Sequence, residues 1–145
     1  GATVIGATCR KVYDATDEIE AWGDGTPTRD FIYAGDVADG CIKCLENELH
    51  ITTNLGSGEE ISIRSLALML KKIIGFKGKI NFNSNYPDGV PRKLLNISKI
   101  EELGWSPKTR LKIGIEKTFD WYISHINKKD MKKFSIEQIE EYMYE

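Results

Sequence analysis

The sequence predicts a mixed α/β domain of several helices with a few short strands, and three observations carry that expectation. Ile63, Leu66, Ala67, Leu70 and Ile74 recur at helical spacing behind a serine suited to capping, and the stripe stops at Gly75. Short β-prone runs, such as 51–55 and 79–82, lie between helical stretches of this kind. Gly-Asp-Gly at 23–25 and Pro-Asp-Gly at 87–89 supply turns that divide the chain into separate elements.

In chain order, Val4, Ile5, Ala7, Thr8, Val12 and Ala15 recur at near-helical spacing and predict a short helix over 3–15. Ile19 and Ala21 alternate with Glu20 and Trp22, and Phe31, Ile32 and Tyr33 form a second apolar run, so a strand is expected on each side of the Gly-Asp-Gly turn. Asp36 is placed to cap the next helix, which should bury a face of Val37, Cys41, Cys44 and Leu45 and end near Asn47. A strand over 51–55 closes on Gly-Ser-Gly, and Ser62 opens the striped helix. After the strand at 79–82, residues 83–93 hold two prolines and are expected to be loop. Ser98, Lys99, Ile100 and Glu101 read as a capping box opening a short helix that ends at Gly104. A helix over about 112–125 should turn Ile115, Thr118, Phe119, Tyr122 and Ile126 inward, and Ser135 starts another under a second capping box.

Composition narrows the function classes. A chain of 145 residues buries roughly two-thirds of its unfolded surface, enough for a core without disulfides or metal. No apolar run approaches the roughly 18 residues of a membrane span, so no transmembrane role is expected. A net charge of -2 provides no overall positive field to recruit nucleic acid, and any anion must be caught by a local cluster. Three cysteines, Cys9, Cys41 and Cys44, suit a reducing, cytoplasmic setting better than a secreted disulfide framework. The opening Gly-Ala-Thr-Val-Ile lacks both Met and a signal-peptide pattern, as expected of a piece cut from a longer protein.

Several motifs carry no chemistry. Gly-Ala-Thr-Val-Ile-Gly-Ala-Thr over 1–8 lacks the three close glycines of a dinucleotide fingerprint, and Cys9, Arg10 and Lys11 stand where backbone would have to approach a pyrophosphate. Cys41 and Cys44 have metal-like spacing but no second pair, and His50 and His125 are far apart, so a buried helix face is the expected role. No Tyr-x-x-x-Lys and no nucleophile beside a base occurs. No catalytic, cofactor-binding or metal-binding residue is therefore assigned in this segment.

Two basic loops carry the ligand chemistry. In Trp-Gly-Asp-Gly-Thr-Pro-Thr-Arg-Asp-Phe over 22–31, the Arg29 guanidinium can fork onto phosphate oxygens while the Trp22 indole covers an apolar or stacked ligand surface. The bland alternative pairs Arg29 with Asp30 or Asp24 and places Trp22 in the core. In Pro-Asp-Gly-Val-Pro-Arg-Lys-Leu-Leu over 87–95, Asp88 offers an acceptor for sugar hydroxyls, and Arg92 and Lys93 offer donors for a diphosphate. The alternative there is a solvated surface loop.

With both loops, the Val-Ile-x-x-x-x-Arg-Lys stretch from Val4 and Asn-Leu-Gly-Ser-Gly at 54–58, the chain resembles the C-terminal part of extended short-chain dehydrogenase/reductases acting on nucleotide sugars, the NAD-dependent epimerase/dehydratase family. The resemblance runs from about Thr3 to Tyr122. It implies the substrate-binding portion of such a fold over 1–126, without its Gly-rich Rossmann half. The helical extension over 127–145 lies past the resemblance, and its Ile136, Ile139 and Met143 stripe is expected to dock on the body rather than on another subunit. The resemblance also implies a nucleotide-sugar substrate held by Lys11, Trp22, Arg29, Asp88, Arg92 and Lys93, with a GDP-sugar favoured. The full-length protein would bind NADP, use a Ser, Tyr and Lys catalytic set upstream of Gly1, epimerise and reduce a GDP-linked 4-keto-6-deoxy sugar, and form a homodimer. Thr3 stands where this family often has His, which keeps a sister epimerase or dehydratase open beside a non-catalytic nucleotide-sugar-binding module or a purely structural interaction domain.

Overall fold

A computed structural model describes residues 17–47 and 51–126. Their elements are β1 (Glu18–Trp22), β2 (Thr28–Asp30), α1 (Ala34–Glu46), β3 (Glu60–Ser62), α2 (Ile63–Ile74), β4 (Lys79–Asn83), β5 (Arg92–Lys93), α3 (Ser98–Glu101) and α4 (Leu111–Ile126). The architecture is mixed α/β, as the sequence predicts. The helices expected over 3–15 and from Ser135 lie outside the described residues.

Two small sheets carry the loops of interest. β1 runs parallel to β4, with Ile19 opposite Ile80 and Trp22 opposite Asn83. The other sheet has the order β3, β2, β5, with β2 antiparallel to β3 and parallel to β5.

α2 forms as its sequence requires. Ser65 N donates to the Ser62 side chain at 3.1 Å, satisfying one of the amides left open at a helix start. Gly75 ends the helix at φ 76°, a conformation that a Cβ penalises. Leu66 and Leu70 are fully buried and meet Ile115 of α4, with Phe31, Ile61 and Phe119 packed around them. Each such leucine contributes roughly 1.5–3 kcal/mol by leaving water. A second cluster of Ile97, Ile100 and Trp105 gathers Ile32, Cys44, Leu55 and Leu103.

These two cores explain where expectation and structure part. The second strand lies at 28–30, not 31–33, because Phe31 packs on the first cluster and its neighbour Ile32 on the second. Asp36 does not cap α1, whose N-cap is Tyr33. Its buried carboxylate instead accepts from Thr109 N at 2.9 Å and Thr109 Oγ1 at 3.0 Å. The inward side of α1 centres on Gly40, which leaves room for Leu55 and Trp105, whereas Cys41 and Leu45 are exposed.

Residues 51–55 form no strand; Leu55 is anchored in the second cluster, and Asn54 Nδ2 donates to Asn96 O at 3.1 Å. The expected loop over 83–93 ends in β5, because Thr28 N donates to Pro91 O at 2.9 Å and draws Arg92 into register. Ser98 is helical and does not cap α3, whose N-cap is Ile97 without a side-chain cap; the Ser98 amide donates to Asn96 Oδ1 at 3.0 Å. In α4, Ile115 is buried and Phe119 packs inward, but Thr118 is exposed and donates to Gly114 O at 2.7 Å along its own helix.

Candidate functional site

The first loop is a braced turn. Gly23 follows β1 at φ 82° and donates from its amide to Asn83 O at 2.9 Å. Asp24 N donates to both Asp88 oxygens, at 3.1 and 3.3 Å, and any Cβ on Gly23 would collide with that carboxylate. The Asp24 carboxylate accepts from Thr26 N at 2.6 Å, and hydrogen bonding from Thr26 holds its carboxyl below the usual aspartate range. On the far side, Arg64 Nη2 donates to Asp24 O at 2.5 Å while its guanidinium lies 4.0 Å from the Phe82 ring centre.

The second loop straps across the first. Asn83 O accepts from Tyr86 N at 3.2 Å, and the Tyr86 ring stacks on Trp22 with centroids 4.7 Å apart and an interplanar angle of 14°. Trp22 is 65% exposed and so is not a core residue. Further along the loop, Asp88 reaches the Asp24 amide, and Arg29 Nη2 lies against Gly89, where an added Cβ would sit 3.1 Å from it.

Strand register sorts the cations. Arg29 is paired with Lys93 and Thr28 with Arg92 in the parallel β2 and β5 ladder. Successive side chains point to opposite faces, so Arg29 and Lys93 share one face and Arg92 takes the other. There Arg92 Nε lies 2.7 Å from Glu60 Oε2, which also accepts from Thr28 Oγ1 at 3.2 Å. The Arg92 hydrogen bond is the main reason that the Glu60 carboxyl lies below the usual glutamate range.

Arg29 donates to Thr28 O at 2.6 Å. Among the described residues neither Arg29 nor Lys93 has a carboxylate within ion-pair distance. Asp30 does not serve, because its Oδ1 accepts from Ser57 N at 2.8 Å and Ser57 Oγ at 2.5 Å. Two adjacent cations without a carboxylate between them suit a multiply charged oxyanion.

Trp22, Arg29, Asp88 and Lys93 are thus gathered around one loop, Arg92 is directed to Glu60 on the opposite face, and Lys11 lies outside the described residues. Sequence reasoning missed Tyr86, whose signal is an aromatic ring just ahead of a Pro-Asp-Gly turn. It also missed Arg64, 40 residues from the turn that it braces, for which no local signal exists. Among the described residues, no group of three or more His, Cys, Asp or Glu side chains could hold a metal ion, and no helix is long and apolar enough to cross a membrane.

Residues 1–56 match the NAD dependent epimerase/dehydratase family. Over 128 residues, 85% of this chain, the sequence is 39% identical to GDP-L-fucose synthase 1 of Arabidopsis thaliana. Over 130 residues it is 41% identical to the GDP-L-fucose synthase of Sinorhizobium fredii. The chain is similar to members of the NAD dependent epimerase/dehydratase family. It spans 40% and 41% of the length of those two relatives, less than half of their extent. A GDP-mannoheptose C4 reductase from Campylobacter jejuni, solved with NADP bound, superposes with a TM-score of 0.73 at 34% identity, covering 85% of this chain and 45% of that one. A GDP-L-fucose synthetase from Naegleria fowleri bound to NADP shares the epimerase/dehydratase fold, with a TM-score of 0.81 at 23% identity over 88% of this chain and 42% of its own.

Proposed function

We propose that this chain is the substrate-binding segment of a nucleotide-sugar epimerase/reductase that converts GDP-4-keto-6-deoxymannose to GDP-L-fucose with NADPH. The observation that supports it best is the side-by-side placement of Arg29 and Lys93, neither with a carboxylate in ion-pair distance among the described residues. In this reading Arg29 and Lys93 neutralise the diphosphate, assisted by Lys11, and Trp22 packs against the sugar or base. Asp88 and Arg92 act mainly by holding the two loops in place through Asp24 and Glu60.

The whole enzyme abstracts a proton beside the ketone, returns one to the opposite face, and reduces the carbonyl by hydride transfer, the oxygen taking up a proton. Dinucleotide phosphates need a Gly-rich loop between a strand and a helix. The described turns into α1 and α2, at Tyr33 and Ser62, do not fit that requirement. NADP is therefore assigned to the part of the protein beyond this segment, together with the catalytic groups. Residues 1–126 form the substrate portion and 127–145 an extension; the full-length protein is cytoplasmic, homodimeric and does not bind nucleic acid.

Calorimetric titration of the 145-residue chain with GDP-mannose tests the reading, with UDP-glucose as the comparison ligand. Binding should favour the GDP-sugar, and Arg29→Ala should weaken it roughly tenfold to a hundredfold, the range for charge-assisted hydrogen bonds. An absence of GDP-mannose binding, or an unchanged affinity for Arg29→Ala, overturns it.

A further inference from the structure

We propose that Tyr86 is a positioning residue that holds the Trp22 indole in the orientation in which it meets the nucleotide sugar; this rests on the function proposed above. Trp22 is the last residue of β1, is followed by a glycine at positive φ, and is 65% exposed, so core packing does not fix its ring. Tyr86 stacks on it, at the centroid spacing and near-parallel angle of an aromatic stack.

Tyr86 is itself held. Its amide donates to Asn83 O at 3.2 Å, and Asn85 N donates to Asn83 Oδ1 at 3.0 Å, closing a tight turn at the end of β4. Asn83 is the register partner of Trp22, so both aromatic rings spring from one pair of strand ends. A few residues on, the same loop places Asp88 on the Asp24 amide and Gly89 against Arg29 Nη2. The loop therefore ties the orientation of the indole to the position of the cation. Restraining the indole by the stack before the ligand arrives removes part of the ordering cost from binding.

The test is a double-mutant cycle on GDP-mannose affinity in the 145-residue chain. Tyr86→Ala should weaken binding about three- to tenfold, and Tyr86→Phe, which keeps the ring, should stay within about twofold of the wild type. In a Trp22→Ala background, Tyr86→Ala should add nothing, because the residue acts only through the indole. The long-wavelength indole band of the near-ultraviolet circular dichroism of the free chain, where neither tyrosine nor phenylalanine absorbs, should change for Tyr86→Ala and not for Tyr86→Phe. Unchanged affinity for Tyr86→Ala, failure of Tyr86→Phe to retain it, losses that multiply in the double variant, or an unaltered spectrum would each overturn the positioning role alone. If the wild-type chain binds no GDP-mannose, the proposed function falls first and the role of Tyr86 with it.

Discussion

At the scale of single residues, this region is built by pairing most charges and leaving two cations together. Asp24, Asp30, Asp36, Asp39, Glu60 and Asp88 each accept hydrogen bonds from named groups. Arg29 and Lys93, side by side, find no such carboxylate among the described residues. The Arg92–Glu60 pair has a pH signature whose sign is fixed. The folded Glu60 carboxyl lies below its ordinary value of 4.5, so the pair's contribution is complete above that pH and is lost as pH falls through the folded value. Melting curves of wild type and Glu60→Gln should therefore differ at about pH 7 and converge towards about pH 3; a constant gap would contradict the pairing. Arg92 and Lys93 are neighbours in sequence, yet strand alternation sends one to Glu60 and leaves the other beside Arg29. Nothing in the dipeptide itself distinguishes their roles.

At the scale of elements, α2 shows how far local pattern reaches. Its cap, stripe and stop were all legible, because each depends on residues no more than four positions apart or on glycine's access to left-handed backbone. Leu70→Ala, at a fully buried position against Ile115, should cost about 2–5 kcal/mol, read as a lower denaturant midpoint with an unchanged slope. A loss under about 0.5 kcal/mol, the range of ordinary surface changes, would mean that the α2–α4 seam is not the core. By contrast, β5 is two residues long and has no propensity of its own to announce it. It exists because β2 offers a ladder partner, and so the pairing of Arg29 with Lys93 could not be read from either loop alone. The same limit moved the cap of α1 away from Asp36, whose carboxylate is engaged by Thr109, 73 residues distant.

For the whole molecule, α1 presents an apolar stripe outward. Ala38, Cys41, Ile42 and Leu45 fall at i, i+3, i+4 and i+7 and are all exposed, with Leu45 at 78% and Ile42 at 56%. The sequence marked this helix as amphipathic, but it could not say which side meets the core; Gly40 decides that, by admitting Trp105 and Leu55 against the backbone. An apolar stripe left in water favours association. Under reducing conditions the chain should self-associate with rising concentration in sedimentation experiments, and Ile42→Lys with Leu45→Lys should suppress it. A monomer at high concentration would refute that expectation.

Sequence alone determined the mixed α/β class, the well-capped helix, the two basic loops and the family resemblance, because spacing, turn chemistry and motif residues are properties of neighbours along the chain. Only the tertiary structure decided that Arg29 meets Lys93, that Arg92 turns to Glu60, that Asp88 braces the first loop, and that Tyr86 covers Trp22. Those are contacts between strands and loops distant in sequence, set by ladder register and by which side chains the two cores could accommodate.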